Sequence, residues 1–419
     1  MSDWQPELKG AVPGPRSRAL AERLARVECP EVTCLTEPPI FWERGSGANV
    51  FDVDGNRFVD LLAGFGAASL GYAHPELAQA AAEQVSVLQH AMGDVYPARL
   101  KVELLEALAA ALPGDLGLSI LSSSGSDAVE SALKTALRVT ARADVLAFEG
   151  AYHGLGLGAL DATHRDEFRA PFRARLAGRT SFVRWGDADA ARARLKDGDF
   201  GAILVEPIQG RGGIRLPPPG FLPALRALAD EFELLLIADE VYTGVGRTGS
   251  FTACETEGVL PDLIALGKAL GGGFPISACA GRPRVMEAWG PSSGEALHTS
   301  THLGNPVGCA QALRVLEIVE RDGLAARAAR LGSDLLERLR AGLSGAPGVV
   351  DVRGRGLLVG IELDTSERAD DAVRSALSRG WILLGEGPEG RVLALTPPLT
   401  VPEELLDGAA ACLVELLTA

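Results

Sequence analysis

The stretch LLLIADEVYTGVGRTGSFTACETEGVLPDLIALGKALGGG, residues 234–273, decides the fold. Its apolar run 234–238 has strand length and is too short for a helix of its own. A continuous apolar run predicts a strand buried on both faces, as in a parallel sheet. The run ends in Asp239 and Glu240. A second short strand is expected over 263–266, stopping at Gly267-Lys268 before the glycine-rich 269–273. Ligands of open parallel sheets sit beyond the carboxyl ends of the strands, so a carboxylate and a lysine at two such ends point into one crevice. A lysine amine forms a Schiff base with a carbonyl, and burial lowers its pKa toward the neutral nucleophile. A carboxylate beside a pyridine nitrogen keeps that ring cationic, which suits Asp239 and Lys268 to a pyridoxal phosphate site. Each residue alone also reads as a cap or a solvated charge.

Gly244-Val245-Gly246-Arg247-Thr248-Gly249 is a literal GxGxxG after a strand. A dinucleotide fold needs that motif to open a helix, and residues 250–254 show no amphipathic helical start. We read a tight loop over the crevice, with a nicotinamide-dependent dehydrogenase as the rival.

Working outward, residues 118–122 read as a strand, followed by Ser123-Ser124-Gly125-Ser126 at the start of a long helix. Free N–H groups and the macrodipole make such a helix start a phosphate-binding candidate, with Gly125 allowing close approach and Ser126 adding a hydroxyl. An ordinary serine cap fits as well. The strand 145–148 precedes Tyr152 and His153; Tyr152 suits stacking on a flat ring or simple packing, and His153 reads as a turn residue. The strand 201–205 ends in a third acid, Glu206. Residues 155–200 read as loops and an Arg/Ala-rich helix.

Strands and helices thus alternate from 118 to 266, the signature of a mostly parallel α/β sheet. Upstream, a helix capped by Ser17 is expected to about Val27, then strands over 38–62 with a hairpin turn at Asp54-Gly55-Asn56. Helices are expected over 75–88, 100–112 and 220–232. Beyond 305, long helices (306–322, 325–344) and strands near 349–352, 357–363, 381–384 and 391–395, with helices near 367–379 and 402–417, predict a smaller α+β domain. The division is 1–62 (N-terminal segment joining the small domain), 63–305 (large domain) and 306–419 (small domain).

The 419 residues carry a net charge of −15, which argues against a sequence-independent grip on nucleic acid or an anionic membrane. No apolar run approaches about 20 residues, and no apolar signal core opens the chain. The six cysteines are scattered, without a metal-type CxxC pair, so no metal site and a reducing, cytoplasmic setting are expected.

Six ordered motifs carry a resemblance spanning about residues 35–400: SSSGSDAVESALK, AYHG, EPIQGRGG, ADEVYTGVGRTG, LGKALGGGFP and HTSTHLGNPVG. Together they make the chain resemble a class III pyridoxal phosphate-dependent aminotransferase of fold type I. The resemblance implies that Lys268 tethers pyridoxal 5'-phosphate and that Asp239 pairs with its pyridine nitrogen. It further implies that Val241 and Tyr152 pack on the ring faces, that Gly125 and Ser126 bind the phosphate, and that Thr301 reaches the phosphate of a neighbouring subunit in a homodimer. Two departures stand out. Tyr242 occupies a position where the family often has Gln, near the cofactor's phenolic oxygen. Ala394 stands where many relatives carry the arginine that clamps a substrate α-carboxylate, the partner of the acid at Glu206. Glu206 is then free to meet a substrate amine, and Arg391, three residues upstream, is the candidate substitute. The implied reaction moves an amino group from an amine or amino acid, ω-amino by preference, to a keto acid by ping-pong chemistry. A racemase or epimerase on the same scaffold is the alternative.

Overall fold

The computed structural model describes residues 4–34 and 39–418. The first residue of the expected 38–62 strand region lies outside them. Near the N-terminus, β1 (Trp42–Ser46), β2 (Asn49–Asp52) and β3 (Arg57–Asp60) form an antiparallel meander. The turn between β2 and β3 falls at the expected Asp54-Gly55-Asn56, where the Asp52 carboxylate accepts from the Asp54 and Asn56 amides. The first helix runs Pro15–Leu24, so Ser17 lies inside it rather than at its cap. The proline starts the helix, because its missing N–H is one the first turn leaves unpaired anyway. Ser17 instead is buried and donates to Asp54 Oδ2 at 2.7 Å.

The central sheet has seven strands: β4 (Leu118–Ser122), β5 (Asp144–Phe148), β6 (Thr180–Val183), β7 (Phe200–Val205), β8 (Leu235–Asp239), β9 (Leu263–Leu266) and β10 (Ser277–Gly281). Their spatial order is β4-β10-β9-β8-β7-β5-β6. β10 runs antiparallel to both neighbours, and the β6-β5-β7-β8-β9 block is parallel. Residues of β7, β8 and β9 are buried throughout, as their unbroken apolar sequences require.

Two strands depart from expectation. β6 lies within the stretch read as loops and a helix; its TSFV is only four residues at the sheet edge and mostly half-buried, so it has no apolar run. β10, SACAG, is buried throughout but built from small residues, which carry little hydrophobic signal.

Downstream, β11 (Val349–Arg355), β12 (Leu358–Leu363), β14 (Leu384–Glu386) and β15 (Val392–Leu395) form an antiparallel sheet. The expected strand 381–384 is split. β13 (Trp381–Ile382) pairs in parallel with β3, Val59 opposite Trp381, while β14 joins β15. The helices Pro306–Arg321, Leu324–Gly342, Ser366–Leu377 and Glu403–Thr418 lie close to their expected bounds. No described helix is long and apolar enough to cross a membrane.

Candidate active site

β8 and β9 are neighbours, with Asp239 opposite Ala265 in register, so their carboxyl ends open on one crevice. That crevice is a cavity of about 330 Å³. Gly125, Ser126, Tyr152, Glu206, Asp239, Val241, Tyr242 and Lys268 all line it. Eight expected site residues from five separate stretches of chain thus converge.

Lys268 follows β9 with φ +27°, a value that a side-chain-bearing residue adopts only when its surroundings force it. Burial lowers its ammonium pKa, opposed by the Asp239 and Glu206 carboxylates. Its Nζ stands 4.6 Å from the centre of the Tyr242 ring. The Tyr242 hydroxyl lies 3.3 Å from Thr396 Oγ1, so its polar end is engaged away from the lysine.

Asp239 is held from two sides. Its Oδ1 accepts from the Val241 amide at 3.1 Å, and its Oδ2 lies 2.7 Å from His153 Nδ1. His153 is itself fixed by its amide, which donates to Thr163 Oγ1, and its Nε2 is buried without a hydrogen-bond partner. Sequence reading treated His153 as a turn residue; the structure makes it the orienting partner of the buried carboxylate. Only its place in AYHG, at a strand end facing the crevice, could have flagged it.

Glu206 is 6% exposed. Its Oε2 accepts from the Tyr152 amide and its Oε1 from the Gly210 amide. Burial pushes its carboxyl up to about 7, helped by Asp239 and opposed by His153. At the opposite wall, Ser124 caps the helix Gly125–Thr140 by accepting from the Asp127 amide. Ser126 Oγ accepts from the Gly156 amide at 3.0 Å. Gly125 is required by space: a Cβ there would stand 2.7 Å from Val241 Cγ1.

Two expected residues are not in this cavity. Thr301 is exposed on the surface. Arg391 lines a neighbouring cavity of about 430 Å³. There its Nε meets Glu389 Oε2 at 2.8 Å and its Nη2 stands 3.9 Å from Glu362. Glu362 of β12 and Glu389 in the turn before β15 thus pair with the guanidinium outside the Lys268 cavity. Ala394 is fully buried among Leu62, Ile208 and Tyr242 and brings no charge. The Lys268 cavity contains instead a cation that sequence reading passed over, Arg211.

The GxGxxG stretch opens no long helix. Its chain folds back through a Val245 amide to Phe251 carbonyl bond, and the helix that follows, Ala253–Thr256, is a single turn. Arg247 is buried there, donating to the carbonyls of Leu357 and Pro397. The loop is structural, which removes the dinucleotide reading.

The Aminotransferase class-III family profile matches residues 34–417. The chain is 42% identical to the acetylornithine aminotransferase of Methanopyrus kandleri, over 91% of this chain and 95% of that one. It is 37% identical to the 5-aminovalerate aminotransferase of Pseudomonas aeruginosa, over 90% and 93%. Among solved structures it is similar to the ornithine aminotransferase of Toxoplasma gondii, with TM-score 0.88, 30% identity and coverage of 95% and 94%.

The cavity fits pyridoxal 5'-phosphate. A helix N-terminus with a glycine approach stands ready for a dianion. A buried, oriented carboxylate suits a ring nitrogen, Val241 and Tyr152 add apolar side chains to the lining, and a lysine of lowered pKa suits an aldehyde. The chain belongs to the class III aminotransferases, and it is a pyridoxal 5'-phosphate-dependent transaminase of fold type I.

Proposed function

We propose that Lys268 tethers the cofactor and acts as the proton carrier, that Asp239 holds the ring nitrogen, and that the amino donor is an ω-amino acid or amine. The observation that carries this reading is the pairing of Lys268 and Asp239 in one cavity at the ends of adjacent strands. When bound, pyridoxal 5'-phosphate supplies an aldehyde that condenses with amines and a cationic ring that draws electrons from the substrate carbon.

The chain's own groups do the rest. Lys268 Nζ, neutral at lower pH than an ordinary lysine because of burial, would hold the cofactor's aldehyde and, once an incoming substrate amine has displaced it, would be the free amine that takes the proton from the amine-bearing carbon. The Asp239 carboxylate, fixed by His153 and the Val241 amide, would keep the ring nitrogen protonated, which leaves a cationic ring to take up the negative charge that develops. Gly125 and Ser126 hold the phosphate at the helix N-terminus. Tyr152 and Val241 keep the ring between apolar walls. Tyr242 closes the floor under Lys268, and Glu206 offers a carboxyl near neutrality to a substrate amine.

The active form is a homodimer in this reading. An apolar surface formed by Val85, Val87, Leu88, Met92, Val95 and Tyr96 is exposed on the single chain. The segment that carries Thr301 is joined to it: Thr299 bonds to Asp94, Asn305 to the Gln89 carbonyl, and the His302 ring packs against His90. Thr301 at that surface suits a reach into a partner's phosphate site. The division at residues 62 and 305 is supported by β3 pairing with β13. The free thiols Cys29 and Cys34 at the surface favour a reducing, cytoplasmic setting.

The test is a panel of ω-amino acids and amines with pyruvate or 2-oxoglutarate as acceptor. Transfer from ω-amino donors, abolished by Lys268→Ala, is expected. Loss of optical rotation of a single amino acid without keto product contradicts it.

A further inference from the structure

The cavity of Lys268 has a cationic group at its other wall whose use the reaction above leaves open. Arg211 sits at the tip of a tight loop after β7, closed by the Gln209–Arg215 backbone pair and by the Gly213 and Ile214 amides on the Gly210 carbonyl. The loop is stapled to the chain that carries Glu386. The Arg211 carbonyl accepts from the Gly387 amide at 3.1 Å and from Arg165 Nη2 at 2.8 Å, and Arg165 also donates to the Gly387 carbonyl. The Arg211 backbone is therefore fixed before any ligand arrives.

Its side chain is not saturated. The guanidinium carbon lies 4.8 Å above the Tyr152 ring centre and 5.8 Å from that of Phe168. Its Nε is buried without a hydrogen-bond partner, 3.6 Å from Glu386 Oε2. That ion pair is too long for a hydrogen bond. Glu386 is 3% exposed, and burial raises its carboxyl pKa against the pull of Arg211, Arg165 and Lys268. A half-buried planar cation, 31% exposed in its side chain and set on an aromatic platform with a buried, unpaired Nε, is built to take a bidentate anion. The cations lining the cavity are Lys268 and Arg211, and with Lys268 committed to the cofactor Arg211 is the one left to meet a carboxylate.

We propose that Arg211 grips the carboxylate of the amino substrate, with Glu386 as its counter-charge while no carboxylate is present. The grip that the β15 position lacks at Ala394 is moved to the loop after β7. The enzyme is thereby selective for amines that carry a carboxylate over simple amines. This rests on the transaminase reading of the Lys268 cavity.

The experiment compares two donors of equal length, 5-aminopentanoate and pentylamine, on the holoenzyme, by the change in cofactor absorbance on mixing and by steady-state turnover. Arg211→Gln is expected to raise KM for 5-aminopentanoate roughly 10- to 100-fold, as for loss of a charged hydrogen bond. Its kcat should stay within a few-fold, and its reaction with pentylamine should be affected far less than that with 5-aminopentanoate. Glu386→Gln, which removes the competing charge, should lower KM for 5-aminopentanoate. Arg211→Gln affecting both donors equally, or neither, overturns the proposal, and so does an unchanged KM in Glu386→Gln. Wild-type enzyme that transfers no amino group from any donor overturns the transaminase reading and this inference with it. Wild-type turnover with donor-blind variants overturns this inference alone.

Discussion

At the scale of single residues, the site is a set of buried charges whose energies depend on one another. Glu206 is the clearest case. With its carboxyl near 7 rather than the ordinary 4.5, the folded chain holds a proton that the unfolded chain releases. The group's favourable contribution is present below about pH 4.5 and is lost as pH rises through 7, since the unfolded state binds fewer protons over that window. The difference corresponds to about 3 kcal/mol. Glu206→Gln cannot titrate. Measured by denaturant unfolding of the cofactor-free protein, its stability relative to wild type is expected to rise by roughly that amount between pH 4.5 and pH 7. A constant difference across that range contradicts the burial argument. Residue identities were legible where an acid or a lysine closes a buried strand, as at Asp239, Glu206 and Lys268. His153 and Arg211 were not, because their partners are remote: Asp239 lies 86 positions from His153, and nothing local ties Arg211 to Glu386.

At the scale of elements, strand ends and helix starts place the chemistry, and close approach makes them fit. Gly210, in the turn after β7, lies against the Tyr242 ring; a Cβ there would fall 2.0 Å from Tyr242 Cδ1. Gly210→Ala is therefore expected to cost about 1–3 kcal/mol of stability through overpacking and to displace the ring beneath Lys268. Thermal unfolding with and without cofactor measures both effects. An unchanged Tm and unchanged cofactor binding contradict the contact. The buried parallel strands could be read from sequence because their runs are apolar throughout. β6 and β10 could not: one is a short edge strand, the other a buried string of small residues. The split between β13 and β14 escaped notice for a related reason. One continuous apolar stretch serves two sheets, and no local pattern marks where the chain crosses between them.

At the scale of the molecule, the single chain leaves an apolar surface open beside Thr301. Val87, 80% exposed, lies on it at the end of the helix Pro75–Val87. Placing a charge there asks a dimer to bury it unpaired, which costs several kcal/mol, whereas in a monomer it stays solvated. Val87→Asp is expected to shift sedimentation toward monomer and to weaken cofactor binding while leaving the fold intact. A variant that remains dimeric, or a wild-type protein that is monomeric and fully active, contradicts the shared site. Composition pointed to a globular α/β protein, yet this surface was silent in the sequence. Its residues read as ordinary helix and loop apolars until the fold showed them uncovered.

The central claim is that Lys268, facing Asp239 across one cavity, tethers the cofactor. The direct measurement is borohydride reduction of the purified holoenzyme, digestion, and mass spectrometry of the peptides. The account predicts a phosphopyridoxyl group on Lys268, absent in Lys268→Ala. A label on another lysine, with Lys268 unmodified in active enzyme, would contradict it.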